Sequence, residues 1–161
     1  MQIPAELIVT MLATLPILEL RGAIPVGKLL GLSMEASFFW AIIGNMLPIF
    51  FIMKFLDPVS KFLMKHSRWI DRVMTRLFEK TRARHSKKFE EAGAIFLIIF
   101  IAIPLPGTGA WTGALIAYLF NVPYWKSILL VFLGVLGAAV IVSLTVESVT
   151  QVPGLIRMFI R

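Results

Sequence analysis

Apolar and polar positions fall in long blocks along this chain, and two of the apolar blocks are interrupted in the same manner. Residues 5–17 form an apolar arm that, at 1.5 Å per residue, covers only about 20 Å as a helix. A bilayer core of about 30 Å asks for roughly twenty such residues. The arm runs into LPILELRGAIPVGKLLG at 15–31, where Pro16, Gly22, Pro25 and Gly27 break an otherwise apolar segment. Arm, break and second arm predict a re-entrant hairpin; a single kinked span over 5–30 is the alternative. Ser33 followed by Glu35 predicts a helix start, with the hydroxyl as cap and the carboxylate at the positive dipole end. A full span follows over 36–56, with Trp40 at one interface and Lys54 snorkelling at the other. Gly44, Asn45 and Pro48 interrupt its middle, and Asn45 reads as an interhelical hydrogen-bonding residue.

From 58 to 80, Val59, Phe62, Leu63, Ile70, Val73, Met74 and Leu77 recur at helical spacing opposite Lys61, Lys65, Arg68, Arg72 and Arg76. That pattern predicts one amphipathic helix lying on a membrane surface. A second short arm at 92–103 breaks at 104–109 and returns over 110–120. Asn121 as cap and Pro123 as first-turn proline then open a second span that ends near 146, with Tyr124, Trp125 and Lys126 at an interface and a short tail at 153–161. Gly134 and Ala138 form a small-residue stripe suited to helix packing or dimerisation. Both halves thus read arm, break, arm, cap, span, and Pro16, Gly22 and Ser33 match Pro104, Gly109 and Asn121 with one-residue gaps. The expected fold is an all-α integral membrane protein of two inverted repeats, each a re-entrant helical hairpin plus a transmembrane helix, joined by a basic amphipathic cytoplasmic helix. The expected division of this single domain of 161 residues is 1–56, 57–90, 91–146 and 147–161.

Composition agrees with a membrane protein: 58% of residues are hydrophobic and the mean hydropathy is +0.87, against roughly 45–50% apolar in soluble domains. Residues 57–90 carry +6 of the net +7. Such concentration of lysine and arginine places that segment in the cytoplasm beside anionic headgroups, and no stacking platform accompanies it to suggest nucleic acid. With no cysteine, disulfides and thiolate chemistry are excluded. His66 and His85 lack metal-ligand spacing, so neither a metal nor a cofactor is expected. The N-terminal stretch has neither a basic n-region nor a small-residue cleavage site, so no removable signal peptide is read there.

The candidate chemistry sits in the two breaks. Glu19 and Arg21 are ionisable groups at membrane depth, where such groups are costly and by default functional. Arg21 offers a planar fork suited to phosphate or carboxylate, and Glu19 is the obvious proton carrier. Gly22 and Pro25 shape the first break; Pro104, Pro106, Gly107 and Gly109 shape the second, with Thr108 and Thr112 offering hydroxyls and Trp111 an amphipathic wall. Half-helix N-termini at both breaks favour an anion. The plainer alternative is that Glu19 and Arg21 neutralise each other and pin the hairpin; Lys28 reads as a snorkelling residue.

Through E-L-R-G-A-I-P-x-G at 19–27 and P-x-P-G-T-G-A-W-T-G at 104–113 the chain resembles the putative small multidrug export protein family, over roughly 12–146. More distantly, the hairpin layout and the run from Phe100 through Pro123 look like the DedA superfamily, whose members include proton-dependent undecaprenyl phosphate translocases. That likeness implies a lipid-phosphate substrate for Arg21 and Glu19. The second break has no arginine where the DedA pattern F-x-R-x-x-P-x-x-R would place two. The leading expectation is therefore a small multi-pass transporter of the cytoplasmic membrane, homodimeric, coupling protons to translocation of a lipid phosphate or other amphiphilic anion. Proton-coupled export of drug cations and a non-transport membrane organiser are the alternatives. An enzyme is not expected, since no nucleophile–base pair or metal-ligand set appears.

Overall fold

A computed structural model describes residues 3–82, 87–105 and 107–159, and these residues form helices without a strand. Seven helices follow in order: α1 Ala5–Thr14, α2 Glu19–Leu29, α3 Met34–His66, α4 Arg68–Arg82, α5 Lys87–Ala102, α6 Ala110–Leu119 and α7 Tyr124–Phe159. Within α3 and α7, Met34–His66 and Tyr124–Thr150 are long and apolar enough to cross a membrane, whereas Ala5–Thr14, Ala92–Ala102 and Ala110–Leu119 are apolar but short. At 1.5 Å per residue the short arms reach about 15 Å, half a bilayer core.

The first break is narrower than expected. Pro16 forces the residue before it out of helical space, and Leu15 accordingly ends α1 at φ −75°, ψ 136°. Residues 15–18 turn the chain, after which α2 runs straight through Gly22, Pro25 and Gly27. These three do not break the segment. Gly27 is required by packing instead, because a Cβ there would lie 2.5 Å from Ser37 Oγ and 2.9 Å from Val9 Cγ2.

Nor is α3 interrupted at Gly44, Asn45 and Pro48, all of which lie inside one helix. Gly44 lets α1 touch α3, since a side chain there would overlap the Thr10 carbonyl oxygen. Ser33 caps α3 as expected, accepting from the Ala36 amide at 3.1 Å. At the far end α3 continues through Pro58 to His66, so the predicted amphipathic helix over 58–80 is divided between α3 and α4. The cause is Ser67, extended at φ −136°, ψ 109°, whose amide closes α3 on Leu63 O and whose carbonyl opens α4 on the Asp71 amide. A serine before an acidic first turn is a helix-start signal that the hydrophobic periodicity had masked. The tail expected from 153 is likewise a continuation of α7.

Both halves end their second short helix in the same motif. Gly31 (φ +87°) bonds its amide to Lys28 O and Leu32 to Gly27 O; Asn121 (φ +53°) bonds to Tyr118 O and Val122 to Ala117 O. Each is a Schellman turn with a left-handed residue one past the helix cap. Asn121 therefore ends α6 and does not cap α7. The second set is the first displaced by ninety residues, and the same displacement carries the start of α3 to the start of α7 and Gly44 to Gly134. This register replaces the Pro16–Pro104, Gly22–Gly109 and Ser33–Asn121 matches read from the sequence. Packing follows it too: α1 lies on α3 as α5 lies on α7, α2 meets α7 as α6 meets α3, and α3 meets α7.

The core between these helices holds Val9, Leu20, Ile24, Ile49, Ile101, Val131 and Val135. Gly134 and Ala138 are buried in it: a Cβ at Gly134 would meet Ile101 Cβ at 2.6 Å, so the small-residue stripe is consumed within the chain by α5. Large apolar residues such as Leu29, Phe39, Phe51, Leu129 and Leu144 face outward, a surface suited to lipid. Filling the α1–α3 crossing by Gly44→Leu is expected to cost about 1–3 kcal/mol or prevent assembly. Gly93→Ala, where a Cβ meets nothing within 4 Å, should instead raise stability by up to about 1 kcal/mol. Thermal unfolding of the purified protein in detergent reads both signs.

Candidate functional site

Glu19 opens α2 and is 4% exposed, with a left-handed backbone at φ +48°. That conformation costs a non-glycine residue roughly 1–2 kcal/mol. It is held by contacts across the molecule, because the carboxylate reaches the first turn of α6 and accepts from the Trp111 amide at 3.4 Å and from the Ala110 amide. These are amides a helix start leaves unsatisfied, at the positive end of its dipole. Gly109, the cap residue of α6, makes room: a Cβ there would fall inside the Glu19 carboxylate.

Arg21 goes the other way. Its Nη1 donates to Leu105 O, and its Nη2 to Thr108 O at 2.6 Å, Thr108 Oγ1 at 3.1 Å and Ile103 O at 3.4 Å. The fork thus gathers carbonyls of the second break, two of which, Ile103 O and Leu105 O, also accept the Leu105 and Thr108 amides. Nε of Arg21 is buried with no hydrogen-bond partner among the described residues. No direct ion pair joins Glu19 to Arg21 among those residues; Lys61–Asp57, at 2.6 Å, is the pair present. Residues two apart on a helix point to different sides, which is why acid and base diverge. The alternative that they simply neutralise one another has no direct contact behind it: each is matched to backbone of the other half.

Around this brace the other predicted residues fall into place unequally. Thr108 organises the turn, its hydroxyl lying 2.6 Å from Ile103 O and 2.9 Å from Leu105 O and accepting from the Leu105 amide at 3.2 Å. Gly107 supplies a positive φ of 83°, and Pro104 is exposed beside it. Trp111 and Thr112 are half-buried on the first turn of α6, and the indole Nε1 is buried without a partner among the described residues. Gly22 and Pro25 lie half-buried within α2, near Arg21 in sequence and outside its hydrogen bonds. Pro106 lies outside the described residues.

The basic residues form no part of this site. Lys61 and Lys65 ride on α3 while Arg68, Arg72 and Arg76 ride on α4, all exposed, and Lys61 is tied to Asp57 one turn back. A ring nitrogen of His66 is 2.9 Å from Phe62 O; His85 lies outside the described residues, and no cluster of three metal-ligating side chains occurs among those described. Sequence reasoning missed the backbone carbonyls of Ile103 and Leu105 as partners of Arg21. It also missed Ser60, which touches the Tyr118 hydroxyl, and Tyr124, which donates to Phe50 O at 3.3 Å. No residue pattern announces a carbonyl acceptor; only the break at 103–109 signals that some must exist.

The fold and site define an apolar helical membrane protein whose two halves are fastened by a buried acid and a half-buried base at a broken helix. The family described as putative small multi-drug export protein matches residues 19–141, and the chain belongs to it. No curated protein and no solved structure matches the chain. The matched region begins at Glu19 and takes in the whole brace, but gives no support for the more distant DedA likeness.

Because Gly109 exists to admit the carboxylate, Gly109→Ala is expected to destabilise the protein by about 1–3 kcal/mol, and much less in a Glu19→Ala background; a double-mutant cycle on thermal stability checks this coupling. Arg21→Lys, which cannot span three carbonyls with one point charge, should cost about 1–3 kcal/mol by losing charge-assisted hydrogen bonds to the Thr108 carbonyl and its neighbours, read in the same assay.

Proposed function

We propose that the chain is a small multi-pass transporter of amphiphilic anions in the cytoplasmic membrane, in which α1–α2 and α5–α6 are re-entrant hairpins entering from opposite faces. The constant displacement between the halves and the half-bilayer length of their arms support inverted repeats around a midplane site. The exposed basic residues from Lys61 to Arg76 support a cytoplasmic position for the α3–α4 junction.

One observation carries the mechanism: the Glu19 carboxylate occupies the amides at the start of α6, where a substrate anion would sit, with the Arg21 guanidinium two residues away. A proton taken up by Glu19 removes the negative charge that holds those amides. An anionic headgroup then takes its place at the α6 N-terminus, beside Arg21 and against the Trp111 and Thr112 turn. Loss of the proton restores the internal carboxylate and expels the anion, so proton and anion move together. A lipid phosphate fits this exchange, although Arg21 is already shared with three carbonyls. Export of drug cations against protons is the second reading, favoured by the family's description.

Reconstitution in proteoliposomes under a pH gradient separates them. The anion reading expects a fluorescent lipid phosphate to cross with the proton gradient, and Glu19→Gln to slow it about tenfold or more, as loss of a charged hydrogen-bond partner implies. Equal rates in wild type, Glu19→Gln and Arg21→Ala would defeat the Glu19–Arg21 mechanism, and a wild-type rate no higher than in protein-free liposomes for either probe would leave a membrane organiser acting through Lys61, Lys65, Arg68, Arg72 and Arg76. Movement of a fluorescent organic cation alone, against the proton gradient, would replace the anion reading with drug antiport.

A further inference from the structure

A cavity of about 390 Å³ opens between α5, α6 and α7, at the end of α6 away from Glu19. Phe96 and Leu97 of α5, Ile116 and Ala117 of α6 and Leu130 of α7 wall it, and among the described residues lining it Lys126 alone is charged. Its volume is in the range of small-molecule sites, and it is concave, which suits a flexible chain better than the flat face of a second copy. The ten residues of α6 put it about 15 Å from the brace.

The cavity is not dictated by the repeat. Ninety residues earlier, the position of Ala117 is Gly27, and there α1, α2 and α3 close so tightly that a Cβ would lie 2.9 Å from Val9 Cγ2. The second half leaves open what the first half fills. Trp125, 76% exposed, stands beside Lys126; an outward indole next to a lysine marks the level of lipid headgroups. An apolar hollow with a cation at that level matches a molecule with a hydrocarbon chain and an anionic head.

We propose that this cavity holds one acyl chain of an anionic bilayer lipid, with Lys126 on its headgroup. The site rests on membrane placement and not on the transport cycle, so it stands or falls apart from transport. The full chain, purified in detergent and offered equal phosphatidylglycerol and phosphatidylcholine, is examined by native mass spectrometry. One phosphatidylglycerol should be retained about five-fold over phosphatidylcholine, the worth of a single lysine beside an anionic headgroup. Lys126→Gln should erase the preference, and Ala117→Phe should reduce retention of either lipid to background. Should Ala117→Phe fail to fold, Gly93→Leu fills the cavity margin from a position where a Cβ meets nothing within 4 Å, and should also reduce retention. Equal retention of both lipids by the wild type, undiminished retention in the filled variants, or a lipid-free dimer would each overturn the proposal.

Discussion

A helix that stops inside an apolar molecule leaves carbonyls and amides with nothing to bond, and in lipid each such group costs several kcal/mol. Everything distinctive in this chain answers that constraint at residues 103–109. Thr108 satisfies part of the turn from within. The rest is met from the other half of the molecule, by a guanidinium on the carbonyls of Ile103, Leu105 and Thr108 and a carboxylate on the amides of Ala110 and Trp111. The signs follow the dipoles: the cation lies where α5 ends and the anion where α6 begins.

Two halves whose helix starts, Schellman turns and packing glycines recur ninety residues apart make such an arrangement possible, and the chemistry lies where they differ. Ninety residues from Glu19 stands Gly109, whose missing side chain admits the carboxylate; ninety from Arg21 stands Trp111, whose amide receives it. Ala36 in the first half becomes Lys126 in the second, at the margin of the cavity. One scaffold, used twice, thus carries the charged side chains on one copy and the open acceptors on the other.

Much of this was legible from residue order, and the rest was lost for identifiable reasons. Short apolar arms, the serine cap at Ser33 and the importance of Glu19 and Arg21 follow from local chemistry and hydropathy, which act over a few residues. Helix continuity through Gly22, Pro25, Gly44 and Pro48 was misread because glycine and proline there answer to neighbouring helices or are tolerated by them, information absent from a local window. The repeat register was misplaced because prolines were matched, whereas the conserved geometry is the left-handed turn at Gly31 and Asn121, filled by different residue types. Partners of Arg21 were invisible since carbonyls belong to every residue alike.

An acid and a base in direct contact would have cancelled each other and left the Thr108 carbonyl and the Ala110 and Trp111 amides of the break unmet. Shared out over those groups, each charge removes a separate penalty, and the pair still leaves the region electrically neutral. The arrangement also makes the fastening conditional. Neutralising the carboxylate weakens its hold on α6 while the guanidinium keeps its grip on the end of α5, because their partners are different. The two sides of one break can therefore be released one at a time, which a simple ion pair does not allow.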